Sequence, residues 1–363
     1  MIFSINNGDF QIWLPLYIIY SDSYIYKGAL LIEALLTVIV LIFTVISGFI
    51  ILTTTAFHKN FNSLIAIVIL SWLFAMVGKI LTFPYLIGII KFENCNLTNP
   101  WWTSDVAKMI PLDNFKGAWP LFLGGALTWY YIFMMTTCLF TLAMERTFAS
   151  FLIKNYENTP RPYLLALLVL FQQFIIFTTT YLIFFNKLQF IPIIIFLVVI
   201  NTSAMIGFFL NRQYSLKILR LFKKKPEESM RNYTLAVRFQ AKENLRVFNL
   251  TARVFSVGFL LILTGVLAII IVTFDIIPTW NTPLNRVFEC LIHLNPLIIC
   301  PVLILSVNTW SKALLNIRLP LIHHLMLQIP CINEQPPPAG KVTSQSQKLE
   351  TYTYFLQLQV AWE

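Results

Sequence analysis

Seven apolar runs of roughly twenty or more residues divide the chain, separated by polar connections. They cover residues 29–53, 63–90, 119–144, 163–185, 190–210, 254–274 and 287–307. At 1.5 Å rise per residue, a helical run of about 20 residues crosses the ~30 Å hydrocarbon core of a bilayer. A membrane β-barrel would instead show segments of about ten residues with alternating hydrophobicity. The pattern predicts an all-α, polytopic membrane protein whose seven-transmembrane helix bundle occupies residues 29–307. The second run admits two ends, near Pro84 or at Ile90. Residues 1–28 mix polar and aromatic side chains, and Trp13-Leu14-Pro15-Leu16-Tyr17 suits a membrane–water interface. Met1 to Asp9 carries no basic residue and Pro15 interrupts the next apolar stretch, so the first span is expected to act as its own insertion signal. Residues 308–330 open with Trp310, Leu314, Leu315 and Ile317 set against Lys312 and Arg318, an amphipathic helix pattern. Residues 331–363 turn to Pro, Ser and Gln and are expected to be disordered.

Composition agrees with this reading. The 363 residues are 58% hydrophobic and 12% charged, about half the ~25% charged content of soluble domains. The net charge of +10 would suggest a nucleic-acid partner in a soluble protein, but in a polytopic chain it anchors the cytoplasmic ends of spans. The cations divide unequally. Lys27, Lys91, Lys108, Lys116, Lys187 and Arg286 fall on one side. The other side holds Lys59, Arg146, Lys154 and Arg161, a basic connection over 211–253, and Lys312, Arg318, Lys341 and Lys348. The richer side is expected in the cytoplasm, placing the N-terminus outside and the C-terminus inside. Asn96-Leu97-Thr98, a glycosylation sequon, then falls outside.

Motifs for catalysis are missing. The chain has no H-E-x-x-H, G-x-S-x-G, phosphate-binding loop or G-x-G-x-x-G. Its four histidines are scattered, and Cys95, Cys138, Cys290, Cys300 and Cys331 have no metal-ligand spacing. Neither an enzymatic activity nor a metal or cofactor is expected. What stands out is charge inside the spans, which costs about 2.5 to 3.5 kcal/mol per group on insertion scales. Glu33 lies one turn into the first span and Lys79 deep in the second. Glu289 and His293, four apart, share one face of the seventh. Lys79 pairs with Glu33 or Glu289 and helps line a ligand pocket, or it is a structural ion pair, or it snorkels to the interface. Asn295-Pro296 sits within the seventh run, where proline removes a backbone donor. It reads as a hinge or as a static kink. Glu145-Arg146 closes the third run, either as a lock that opens on activation or as ordinary anchoring by the arginine. The basic connection reads as a partner surface and as anchoring at once.

These residues bring the chain close to a known family. Seven spans with an outer N-terminus match the plan of G-protein-coupled receptors. The chain resembles the nematode chemoreceptors of serpentine receptor class epsilon (the Sre family). The resemblance rests on Trp13-Leu14-Pro15-Leu16-Tyr17, Ala143-Met144-Glu145-Arg146-Thr147-Phe148-Ala149, Tyr214-Ser215-Leu216, Arg238-Phe239-Gln240-Ala241-Lys242-Glu243-Asn244 and Leu294-Asn295-Pro296-Leu297-Ile298. It covers about residues 10–320. It implies a multi-pass plasma-membrane receptor in the sensory endings of chemosensory neurons. Such a receptor binds a small chemical ligand and activates a heterotrimeric G protein. It gives Glu145 and Arg146 a G-protein-facing role. The chain departs from the rhodopsin-like pattern, with Thr147 after Glu145-Arg146 and Ile299 after Asn295-Pro296-Leu297-Ile298, and no cysteine at the outer end of the third span. A seven-span transporter or channel is the alternative, but the internal repeats expected of one are not visible.

Overall fold

The structure is a computed structural model that describes residues 1–5, 10–18, 20, 24–54, 56–92, 101–103, 105–112, 117–151, 162–224 and 235–316. The helices are α1 (Tyr24–Thr53), α2 (Lys59–Leu70), α3 (Trp72–Leu86), α4 (Trp119–Phe151), α5 (Pro162–Phe184), α6 (Phe190–Lys224), α7 (Leu235–Thr273), α8 (Asn281–Leu294), α9 (Pro296–Leu305) and α10 (Asn308–Asn316). Among the described residues, seven helical stretches are long and apolar enough to cross a membrane; α2 with α3, and α8 with α9, each count as one. The bundle is all but wholly helical.

The exception is a small sheet at one end. Strands β1 (Ile2–Ile5) and β2 (Phe10–Trp13) pair antiparallel, Ile2 opposite Trp13. Strand β3 (Ile110–Leu112) lies parallel to β1, with Phe3 opposite Ile110. Pro111 has no N–H to give, and β3 is an edge strand, where that is tolerated. The segment read from sequence as a mixed interface stretch is therefore a packed cap. Met1, Phe3, Trp13 and Leu14 are each 0% exposed. The all-α bundle stands, and this sheet is an addition to it that the sequence does not foretell, because β1 and β3 lie more than a hundred residues apart and no local pattern couples them. The cap rests on the loop after α5 as well, where Asn186 Nδ2 donates to Gln11 Oε1 at 2.7 Å.

Two spans are broken at identifiable residues. Between α2 and α3, Ser71 Oγ donates to the Val68 carbonyl at 2.6 Å, a back-bond that bends helices. The span then ends at Leu86, and Gly88 takes φ +79° just beyond, the left-handed conformation that glycine adopts freely at helix ends. Between α8 and α9 the break is Asn295-Pro296, with proline at the first position of α9, where its missing N–H costs nothing. Two other helices outrun their apolar sequence. α6 has 35 residues and α7 has 39, more than 50 Å each at 1.5 Å per residue. Much of the basic connection 211–253 is thus helix. Its buried positions Val237, Gln240, Ala241, Asn244, Val247 and Leu250 recur at helical spacing. α10 buries Trp310 and Leu314, and Trp310 meets the Phe57 ring edge-on at 5.6 Å. The remainder of the 308–330 stretch, the 331–363 tail and the sequon at Asn96 lie outside the described residues.

α4 is the central helix, packed on α2, α3, α5, α6 and α7. Its closest approach is to α3. A methyl group on Gly78 would lie 2.7 Å from the Gly124 carbonyl oxygen, and one on Gly124 would lie 2.7 Å from the Gly78 oxygen. Small residues that admit such contact favour helix association in lipid. Gly124→Val is expected to lower the thermal unfolding midpoint of the purified protein, a loss of about 1–3 kcal/mol from overpacking. Gly28→Ala, at a site where an added methyl meets nothing within 4 Å, is expected to leave it unchanged or raised.

Candidate functional site

Three features lie along the bundle axis: a charged cluster near the sheet, a central cavity, and a second cluster at the opposite, basic end. Near the sheet, Lys79 of α3 reaches Glu33 of α1 at 2.6 Å and Glu289 of α8 at 3.9 Å. Arg286, one turn before Glu289, binds the same carboxylate at 2.5 Å and stacks over the Tyr26 ring. The backbone N–H of Tyr17, just after the cap, donates to Glu289 Oε1 at 2.9 Å. Glu33, Lys79, Glu289 and His293 are all at most 7% exposed. Two acids and two bases cancel, which is how charge is tolerated at such depth. His293 Nδ1 meets the Glu289 carbonyl at 2.8 Å, and the His293 carbonyl accepts from Trp72 Nε1 at 2.8 Å. The structure therefore gathers the four residues singled out from the sequence. Arg286 and the Tyr17 backbone complete the set; the signal for Arg286 was its position three residues before Glu289.

The cavity has a volume of about 270 Å³ and lies between α4, α6, α7 and α8. Trp13, Trp101 and Trp129 close its sheet side. Ile193, Leu197 and Asn201 of α6 face Val254, Phe255, Gly258 and Ile262 of α7 across it. No Asp, Glu, Lys, Arg or His lines it among the described residues. Besides the three indoles, the polar side chains in its lining are Tyr131, Thr136, Cys138, Asn201, Thr251 and Asn295. Glu33, Lys79, Glu289 and His293 sit beside the cavity, outside its lining. Asn295 is in the lining, and its Oδ1 accepts from Tyr131 of α4 at 2.7 Å, so the break between α8 and α9 is tied to the central helix at the cavity wall. The lining is drawn from seven separate segments, which no single motif could reveal.

At the basic end, α4 does not stop at Glu145-Arg146 but continues to Phe151. Both side chains are therefore carried inside the bundle, Glu145 at 0% and Arg146 at 1% exposed. Arg146 Nη2 binds Glu145 Oε1 at 2.7 Å and Nε binds Oε2, a forked pair between neighbours in sequence. Its Nη1 reaches Glu243 of α7 at 3.3 Å, and its guanidinium lies over the Phe61 ring of α2 at 4.8 Å. Glu243 Oε1 also accepts the His58 backbone N–H at 2.8 Å. Around this centre, Asn211 of α6 donates to Thr147 at 2.9 Å. Asn244 of α7 donates to Ser150 at 2.9 Å and to Ser215 of α6 at 3.4 Å. One arginine thus links α2, α4 and α7, and amide–hydroxyl bonds bring in α6. Glu243, Asn244, Asn211 and His58 were missed as site residues. The helical spacing of the buried positions in 237–250 marks that face as packed, and Glu243 is an acid within a basic run. Burial holds the His58 imidazole below its ordinary pKa of 6.5; Arg146 adds to that, and Glu145 and Glu243 oppose it.

Comparison with known proteins places the chain among receptors. A family model described as Sre G protein-coupled chemoreceptor matches residues 1–363. Serpentine receptor class epsilon-45 of Caenorhabditis elegans is 29% identical over the whole of both chains. Serpentine receptor class epsilon-38 of the same organism is 28% identical over 99% of each. Serpentine receptor class epsilon-27 is 30% identical over 84% of this chain and 83% of its own. No solved structure matches the chain.

Lys79→Met leaves Glu33 as a buried carboxylate without its closest cation and is expected to cost about 3–5 kcal/mol, read as a large fall in the unfolding midpoint. Adding Glu33→Gln is expected to recover much of it, since the charges again balance. The pH dependence follows from His58. Its folded pKa is depressed, so the unfolded chain takes up the proton first, and stability falls as pH drops below about 6.5. His58→Asn, followed by thermal unfolding between pH 7.5 and 5.5, is expected to flatten that fall.

Proposed function

The chain belongs to the Sre family of G protein-coupled chemoreceptors, and from that premise we propose how its two ends divide the work. The basic end faces the cytoplasm and receives a heterotrimeric G protein, and the sheet end faces outside. The receptor resides in the plasma membrane, at the sensory endings of chemosensory neurons, and acts by conformation rather than by catalysis. Its ligand is a small, uncharged, largely apolar molecule. A cavity with no charged side chain among the described residues gives an ion nothing to offset its lost hydration, whereas Asn201 or Thr251 can orient one polar group. Asn295 carries the response. It lines the cavity and holds Tyr131, so a ligand that displaces either side chain acts on the break before Pro296.

The observation that carries this reading is the bridge from Arg146 on α4 to Glu243 on α7. A helix that must move away from its neighbour to admit a partner is held here by an ion pair that reforms when the partner leaves. Glu145 keeps the guanidinium satisfied while Glu243 is released, so opening does not strand a buried charge. If the bridge is worth about 1 kcal/mol, removing it shifts the closed–open balance about fivefold.

Glu243→Gln is accordingly expected to raise ligand-independent G-protein signalling several-fold in a reporter cell. Arg146→Ala breaks the same bridge but also removes the cation that we propose meets the G protein, so it is expected to lower the ligand response at least tenfold at equal surface level. Wild-type signalling by both variants, at matched surface expression, would contradict the assignment.

A further inference from the structure

The cavity's sheet-side mouth is closed, and its side wall is not. Trp13 and Trp101 are 0% and 1% exposed, and their rings meet edge-on with centroids 5.0 Å apart. Trp129 joins them from α4 at 5.1 Å from Trp13, and its Nε1 donates to the Trp13 carbonyl at 2.8 Å. Leu14 behind them is fully buried. A ligand arriving from water on this side would have to part a dry aromatic cluster and the backbone that holds it.

The wall between α6 and α7 is different. Gly258 of α7 lines the cavity, and a Cβ added there would meet nothing within 4 Å. Its neighbours Phe259 and Ile262 line the cavity too, yet are 50% and 42% exposed. These residues have the cavity on one side and the lipid-facing surface of the bundle on the other.

We propose that the ligand reaches the cavity laterally, from the hydrocarbon of the bilayer, through the seam between α6 and α7 at Gly258. This rests on the reading of the cavity as the ligand site and adds the class of ligand and its route: an uncharged lipophile concentrated in the membrane before it binds. An apolar solute already dissolved in lipid gives up no water on this path, and the seam opens by rotation of the Phe259 and Ile262 side chains. The backbone of α6 and α7 keeps its own hydrogen bonds throughout, as lipid requires.

The test pins the cap and watches the route. A Cβ placed on Gly125 of α4 lies 3.5 Å from the Leu14 Cβ, within the range of a disulfide. Leu14→Cys with Gly125→Cys staples the cap to the bundle under oxidising conditions and frees it under reductant. The full chain in lipid nanodiscs is mixed with 1-bromooctane, a bilayer-soluble heavy-atom quencher, and cavity occupancy is read as the rate of quenching of the tryptophan signal that Trp129→Phe removes. The expected result is the same rate, within twofold, stapled or reduced. Gly258→Leu, in the otherwise unaltered chain, is expected to slow that rate at least fivefold. Quenching that the staple blocks and reductant restores would overturn the lateral route, as would an unaltered rate in Gly258→Leu. Absence of Trp129 quenching in both redox states would instead overturn the cavity as the ligand site.

Discussion

Burying the Arg146 guanidinium is the constraint on which the basic end depends. An arginine so deep in the bundle must keep its charge and its hydrogen bonds together, because an unpaired buried cation costs several kcal/mol. Glu145 supplies a permanent partner from the next position in the chain. Glu243 supplies a second one from another helix. The first makes the site stable and the second makes it informative, since only the second reports whether α7 is close. Phe61 beneath the guanidinium adds a face that no partner's departure removes.

The sheet end is built on the opposite principle. There, Lys79, Arg286, Glu33 and Glu289 form a neutral group that ties the first, second and seventh spans together, and the Tyr17 N–H fastens the cap to it. Its charges cancel, and none of these four side chains lines the cavity. The mobile parts of the account lie between the two clusters, at Asn295-Pro296 and along α7. In the proposed reading, a charge-balanced sheet end, an apolar cavity and a bridged basic end give a ligand one direction in which to transmit its effect.

The sequence shows the membrane architecture because hydrophobic runs of bilayer length have few other uses. It also shows which charges must meet: Lys79, Glu33 and Glu289 stand out since lone charges inside spans are costly, and Lys79 touches both acids. Contacts set by distant segments do not show. The β1–β3 pairing joins residues over a hundred positions apart, and the cavity is assembled from single residues on many helices. Arg146 was visible as a helix-end arginine; that α4 runs on to Phe151 and buries it depends on packing against α2 and α7. The Gly78–Gly124 contact is likewise a property of two helices together.

The central claim is that α4 and α7 separate at the basic end when the receptor couples. Phe151 at the end of α4 is 80% exposed and Phe239 on α7 is 56% exposed, so spin labels at these two positions leave the buried network intact. The distance between them, measured by pulsed electron spin resonance in nanodiscs with and without nucleotide-free G protein, tests the claim directly. The account predicts that it grows by several ångströms when the G protein binds, and that Glu243→Gln shifts the unbound receptor toward the longer distance. An unchanged distance in a receptor that activates its G protein would contradict it.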